Sequence, residues 1–245
     1  MKFIVLSIKK LFQLVGLEIY RKGLDGGSNW SWLRKRIYDQ ADGILHLGAH
    51  YGQEAESYHK AGANVIWIEG MPNVFQTLRK NIDKYPNQTA ILAILGDSTR
   101  LVNFNITDNE GQSSSVFSLA QRHRFPTRVV AQTSLEMKRL DQIFTRKDLV
   151  DFSHWVVDVQ GAELIVLQGA GELLDTCLTL DVEVSTYETY MGGARYEELD
   201  SFLKEKGFVP LWEFAKNSHG NLLYVRGRWP GIARTKRIVN SKAEG

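Results

Sequence analysis

From Ile44 onward the chain repeats one pattern: a short apolar run, a corner marked by glycine or polar residues, then apolar positions at helical spacing. The runs at residues 44–47, 65–68, 89–95, 155–159 and 178–184 predict buried strands. Between them, helices are expected after Gly52, over 72–82, after Asp158 and over 196–206. In the second of these Pro72 suits the first turn, and Val74, Phe75, Leu78 and Ile82 share one face. Residues 101–106 and 115–119 read as a hairpin around Asn109-Glu110-Gly111. The following polar stretch, with Arg122, His123, Arg124 and Arg128 around Pro126, reads equally as a substrate-facing loop or a solvated one. A short turn-helix is expected over 135–144, and strands at 208–214 and 221–225, joined through Ser218-His219-Gly220, close the pattern. This alternation predicts an α/β domain: a mostly parallel sheet with helices on both faces and an antiparallel edge strand.

The amino-terminal stretch has a different pattern. Ile4, Ile8, Leu11 and Val15 form one stripe of an amphipathic helix. Lys9 and Lys10 interrupt the initial apolar run and no small-residue cleavage site follows, which argues against a secretion signal or a spanning helix. That helix either docks on the body or rests on a membrane surface. A glycine-rich hinge at 23–28 and a second short helix over 30–38 follow. The expected organisation is a helical extension at 1–40, a main domain at 41–228 and a basic tail at 229–245. Cytoplasmic residence, with peripheral membrane contact left open, follows from the missing export signal. Over 245 residues, 43% hydrophobic and 24% charged positions with a net charge of +2 give no general nucleic-acid signal, so no nucleic-acid partner is expected. The single cysteine, Cys177, excludes an internal disulfide and a cysteine-based metal cluster.

The candidate chemistry gathers at strand ends. Gly48 and Gly52 bracket a corner where a backbone free of Cβ atoms and a helix start can meet a ligand. Glu69 ends the next strand, where doubly wound folds offer a carboxylate to ribose hydroxyls. A dinucleotide fingerprint fails at His50 and Gln53, which disfavours pyrophosphate and a nicotinamide-dependent oxidoreductase. The wider Gly-x-x-x-Gly loop suits S-adenosylmethionine; an ordinary glycine turn is the plain alternative. Asp97 and Ser98, in the Gly96-Asp97-Ser98 turn, are placed by an adenine, or else Asp97 only caps its turn. Asp158 ends the 155–159 strand and is the first candidate to orient or deprotonate an acceptor hydroxyl; its plain role is to cap the next helix. His123, Glu183 and His219 are further candidates. No His, Asp and Glu set has metal-ligand spacing, so no metal is expected.

Five segments carry a family resemblance: residues 46–54 (HLGAHYGQE), 67–75 (WIEGMPNVF), 113–115 (SSS), 158–170 (DVQGAELIVLQGA) and 181–184 (DVEV). In their order and spacing the chain resembles the FkbM-type methyltransferases, S-adenosylmethionine-dependent enzymes with a seven-stranded Rossmann-like sheet. The resemblance implies that Gly48, His50 and Gly52 line the cofactor loop, Glu69 takes the ribose and Asp97 lies by the adenine. It also implies that Asp158 and Glu163 sit at the methyl-transfer crevice. The chain departs from the family pattern at His46, His50, Val156 and Gln160, the last replacing a frequent Glu. The implied function is O-methylation of a small molecule or sugar hydroxyl. A catalytically silent module that binds a nucleoside or a partner is the alternative.

Overall fold

The computed structural model describes residues 37–121, 126–211 and 214–226. The expected amino-terminal extension up to residue 36, His123 and the basic tail lie outside the described residues. In chain order the elements begin with β1 (Gly43–Leu47), α1 (Ala55–Ala61), β2 (Asn64–Glu69), α2 (Pro72–Ile82) and β3 (Gln88–Leu92). Next come β4 (Ile94–Leu95), β5 (Arg100–Thr107), β6 (Ser118–Leu119), β7 (Val129–Lys138), α3 (Leu140–Ile143) and α4 (Arg146–Leu149). The last group is β8 (His154–Val157), α5 (Glu163–Gly169), a 3-10 turn over Gly171–Thr176, β9 (Thr179–Ser185), β10 (Tyr190–Met191), α6 (Tyr196–Glu205), β11 (Phe208–Pro210) and β12 (His219–Arg226).

Seven strands form the main sheet in the order β11-β12-β9-β8-β1-β2-β3. The pairings from β9 through β3 are parallel, and β12 runs antiparallel to both β9 and β11. The edge pairing is thus antiparallel, as expected, and the strand that opposes the rest lies one position in from the edge. A parallel sheet covered on both faces needs strands that are apolar on both, because successive side chains point to opposite sides. Leu45, Leu47, Trp155, Val157, Leu180 and Val182 accordingly join one buried cluster with Val166 and Leu167 of α5 and Leu199 and Leu203 of α6. Ile44, Val65, Trp67, Val156 and Leu223 point the other way, to Tyr58 of α1 and Leu78 and Ile82 of α2. Each fully buried aliphatic side chain here contributes about 1.5–3 kcal/mol relative to exposure.

The segment between β3 and β8 departs from expectation. The run 89–95 is not one strand: Ala93 N–H bonds the carbonyl of Glu69, and Ile94–Leu95 leaves the sheet to pair with β7. The expected hairpin of 101–106 with 115–119 is reduced to a single bridge between Asn105 and Ser115. β5 instead pairs along its length with β7, a ten-residue strand that takes up the end of the expected polar loop and the start of the expected turn-helix. Met71, Val74, Ile94, Phe104 and Met137 fasten this small sheet to the carboxyl end of the large one. β6 pairs with β10, so a second layer forms a lip above the ends of β1, β2, β8 and β9. No helix among the described residues is long and apolar enough to cross a membrane.

Candidate active site

A cavity of about 400 Å³ opens at the carboxyl ends of β1, β2, β8 and β9, within the size range of small-molecule sites. Its floor is the turn after β1. Gly48 has a φ of 86°, and a Cβ there would lie 1.7 Å from the carbonyl oxygen of Asp158, so only glycine allows the ends of β1 and β8 to meet. The N–H groups of Gly48 and Ala49 both donate to the Ile68 carbonyl at 3.0 Å, and Asp158 N–H donates to Leu47. Together these bonds fix three strand ends against one another.

His50 follows in the left-handed region at φ 46°. Its N–H donates to Glu69 Oε2 at 2.8 Å, and Met71 N–H donates to Oε1 at 2.8 Å. Each oxygen of Glu69 keeps a further lone pair for a ligand hydroxyl. Burial raises the Glu69 pKa, opposed by these backbone donors. The His50 ring accepts from the Gln53 amide at 3.0 Å and sits 3.2 Å from the Glu110 carbonyl, which ties the glycine turn to the lip. His46, stacked on Trp67 and bonded to the Tyr58 hydroxyl, lies behind the turn with its pKa lowered by burial.

Three expected residues fall elsewhere. Gly52 faces Leu78 of α2, where a Cβ would come within 2.7 Å of Leu78 Cδ1, and it does not line the cavity. Asp97 and Ser98 lie beyond β4, outside the cavity, where Asp97 accepts from Ser98 at 2.9 Å and from Arg100 at 2.8 Å. The strand that was to present them ends at Leu92, and Ala93, Ile94 and Leu95 line that wall instead.

The opposite end of the cavity gathers carboxylates. Asp158 after β8, Glu163 at the start of α5 and Glu183 of β9 bring one oxygen each within 4.8 Å of one another. The spacing along the sequence hid this set, because three elements supply it. A cation could reach all three, yet donors already occupy the set. Gln160 Nε2 donates to Asp158 Oδ1 and, at 3.3 Å, to Glu183 Oε2. His219 Nε2 lies 2.9 Å from Glu183 Oε1, and the N–H groups of Val159 and Gly161 both donate to Glu163 Oε1 at 3.1 Å. These donors and shared protons suit the set better than a metal does. Burial, followed by the charges of Glu183 and Glu163, holds the Asp158 carboxyl well above the usual range. Burial, then Glu183, pushes Glu163 up to about 8. Asp158, the first candidate for a base, is therefore harder to ionise than an ordinary carboxyl.

Tyr190 of β10 was not singled out from the sequence. Its hydroxyl donates to Gln160 Oε1 at 2.7 Å and is 3.3 Å from the Ser113 carbonyl, and its ring packs where a Cβ on Gly161 would sit. The neighbouring glycine pair, Gly192-Gly193, is the one local signal of such a close approach. Ser113 and Ser114 line the lip, braced by Asn109 and Thr107.

Among the described residues, Glu54, Glu69, Asp158 and Glu183 line the cavity and no Lys or Arg does. S-adenosylmethionine carries a sulfonium and an ammonium against one carboxylate, so its charge, its ribose and its size all suit this lining.

A search of curated proteins finds no match. Among solved structures, the chain is similar to Sp1610 of Streptococcus pneumoniae, crystallised with S-adenosyl-L-methionine, at 14% identity and a TM-score of 0.45, covering 80% of this chain and 73% of that one. It is also similar to magnesium protoporphyrin IX methyltransferase (ChlM) of Synechocystis PCC 6803, with the same ligand bound, at 13% identity and 0.45 over 80% and 76%. Fibrillarin of Aeropyrum pernix, again with that ligand, gives 13% and 0.43 over 79% and 74%. The model of the family described as Methyltransferase FkbM domain matches residues 46–210, and by this match the chain belongs to the FkbM family of S-adenosylmethionine-dependent methyltransferases.

Proposed function

We propose that the protein methylates a hydroxyl group of an uncharged small molecule or sugar. The observation that carries this reading is the make-up of the cavity: a carboxylate with spare lone pairs at one end, an acidic set at the other, and no cationic side chain among the described lining residues. A phosphate or carboxylate on the acceptor would meet like charge there, whereas a neutral polyol would find hydrogen-bond partners.

When bound, S-adenosylmethionine supplies an electrophilic methyl group on sulfur and leaves as a neutral thioether. Glu69, held by the N–H groups of His50 and Met71, would take the ribose hydroxyls, and the turn at Gly48 would face the cofactor. Glu183, bonded to His219, is the group we assign to receive the acceptor's hydroxyl proton, which then passes to solvent. Asp158, at the end of β8 on the cavity wall, would orient the acceptor oxygen through a hydrogen bond.

Calorimetric titration with S-adenosylmethionine, followed by transfer of labelled methyl groups to paired neutral and phosphorylated sugars, tests the reading. We expect Glu69→Ala to weaken cofactor binding about tenfold or more, the scale of one lost charged hydrogen bond. Label should appear in neutral acceptors only. Cofactor binding without turnover on any acceptor would favour the silent-module alternative, and label in the phosphorylated partners would sink the charge argument.

A further inference from the structure

Gln160 occupies a position that glycine normally takes, with a φ of 56°, directly before Gly161 at φ 90°. A side chain held in the left-handed region costs about 1 kcal/mol or more, and such strain gathers at functional sites. The strained turn aims the Gln160 amide into the carboxylate set. Its orientation follows from its neighbours: Asp158 and Glu183 are acceptors when ionised, so the amide nitrogen faces them, and the carbonyl is left for the Tyr190 hydroxyl. A glutamate in this place could not donate to either acid near neutral pH.

We propose that Gln160, held in its orientation by the Tyr190 hydroxyl, is a positioning residue that sets how many protons the Asp158, Glu163 and Glu183 set carries, and thereby how strongly the crevice favours the charged sulfur of the cofactor over the neutral sulfur of the product. The proposal rests on the methyltransferase reading. Titratable groups face the set from several elements, and behind it Arg195 and Tyr196 line a small adjoining pocket with Glu163, Glu183 and His219. Asp158 comes from the end of β8, Glu163 from α5, Glu183 from β9, His219 from β12 and Tyr190 from β10. Glu54, before α1, adds a further negative charge at the cavity wall, with neutral His46 behind it. No Lys or Arg lines the cavity itself among the described residues, so on that side amide, imidazole and backbone donors moderate the repulsion. Removing the Gln160 donor destabilises the ionised form of Asp158 and draws protons into the set. A set that holds more protons attracts a cation less.

S-adenosylmethionine and S-adenosylhomocysteine are suited to test this, because they differ by one methyl group and one positive charge at sulfur. The ratio of their affinities, measured calorimetrically between pH 6 and pH 9 and corrected for the separately measured titration of each free compound's amino group, follows the charge on the set. In the unaltered chain we expect the ratio to rise about tenfold toward high pH, the scale of a single charge interaction at the edge of a protein. Gln160→Met and Gln160→Glu keep an unbranched side chain on the strained backbone and should shift the midpoint of that rise to higher pH, the Glu variant further. Tyr190→Phe, which releases the amide to rotate, should shift it in the same direction by less, and should add nothing to Gln160→Met. If the two affinities fall in parallel with the midpoint unmoved, Gln160 is merely structural and the proposal is overturned. If the unaltered chain binds neither compound, the methyltransferase reading itself has failed.

Discussion

Both ends of the cavity place acidic side chains out of water, yet they treat them differently. At the glycine end, Glu69 stands alone, with one backbone N–H on each oxygen. At the other end, Glu163 also has two backbone N–H groups, on a single oxygen, yet burial, and then the charge of Glu183 beside it, pushes its pKa up to about 8. Fixed donors are present in both places, so what separates the two ends is company. A solitary carboxylate is oriented for binding, while crowded carboxylates share protons and become a device whose charge changes with pH.

The largest expected effect attacks the joint between the two ends. Gly48→Ala forces a methyl group onto the Asp158 carbonyl at a position with positive φ. We expect a loss of about 3 kcal/mol or more, seen as a drop of about 10 °C in the thermal midpoint. An unchanged midpoint would mean the joint is looser than described.

A smaller effect separates the ends by pH. An unfolded Glu titrates near 4.3, whereas folded Glu163 titrates at about 8. The native state therefore binds this proton more tightly than the unfolded chain. Stability from this group is fully present below pH ~4.3 and erodes as pH rises toward 8. Glu163→Gln keeps an oxygen for the Val159 and Gly161 donors but cannot titrate. Its stability relative to the parent should therefore rise by on the order of 2 kcal/mol between pH 6 and pH 8, measured by urea unfolding at each pH. Parallel curves would contradict the crowding.

The smallest effect lies outside the cavity. Asp97→Asn disturbs a partly exposed pair with Arg100 and should change stability by less than about 0.5 kcal/mol. Cofactor affinity, followed by the same titration, should stay within about twofold. A larger loss of affinity would return Asp97 to the cofactor wall.

The sequence makes the central strands and α2 legible because their apolar positions are dictated locally, by a sheet covered on both faces. β7 is harder to read, since only Thr133, Leu135 and Met137 alternate inward and the strand depends on β5 for a partner. The run 89–95 misleads because its composition is continuous while the backbone changes sheets at Ala93. That break moves Asp97 away from the position a strand-end acid would hold. Glu69 and Glu183 reach the cavity as their strand positions imply. The contribution of Tyr190 is invisible in the sequence because it exists only through Gln160, whose three partners come from three separate elements.

The contact of Gly48 with the Asp158 carbonyl also bears on how the enzyme chooses what it modifies. The glycine turn and the root of the acidic crevice sit on adjacent strand ends locked together by direct backbone contact and a hydrogen bond. On the proposed reading, the reach from donor to acceptor is set by the sheet, which leaves the overhanging lip that frames the entrance as the part free to vary with the acceptor.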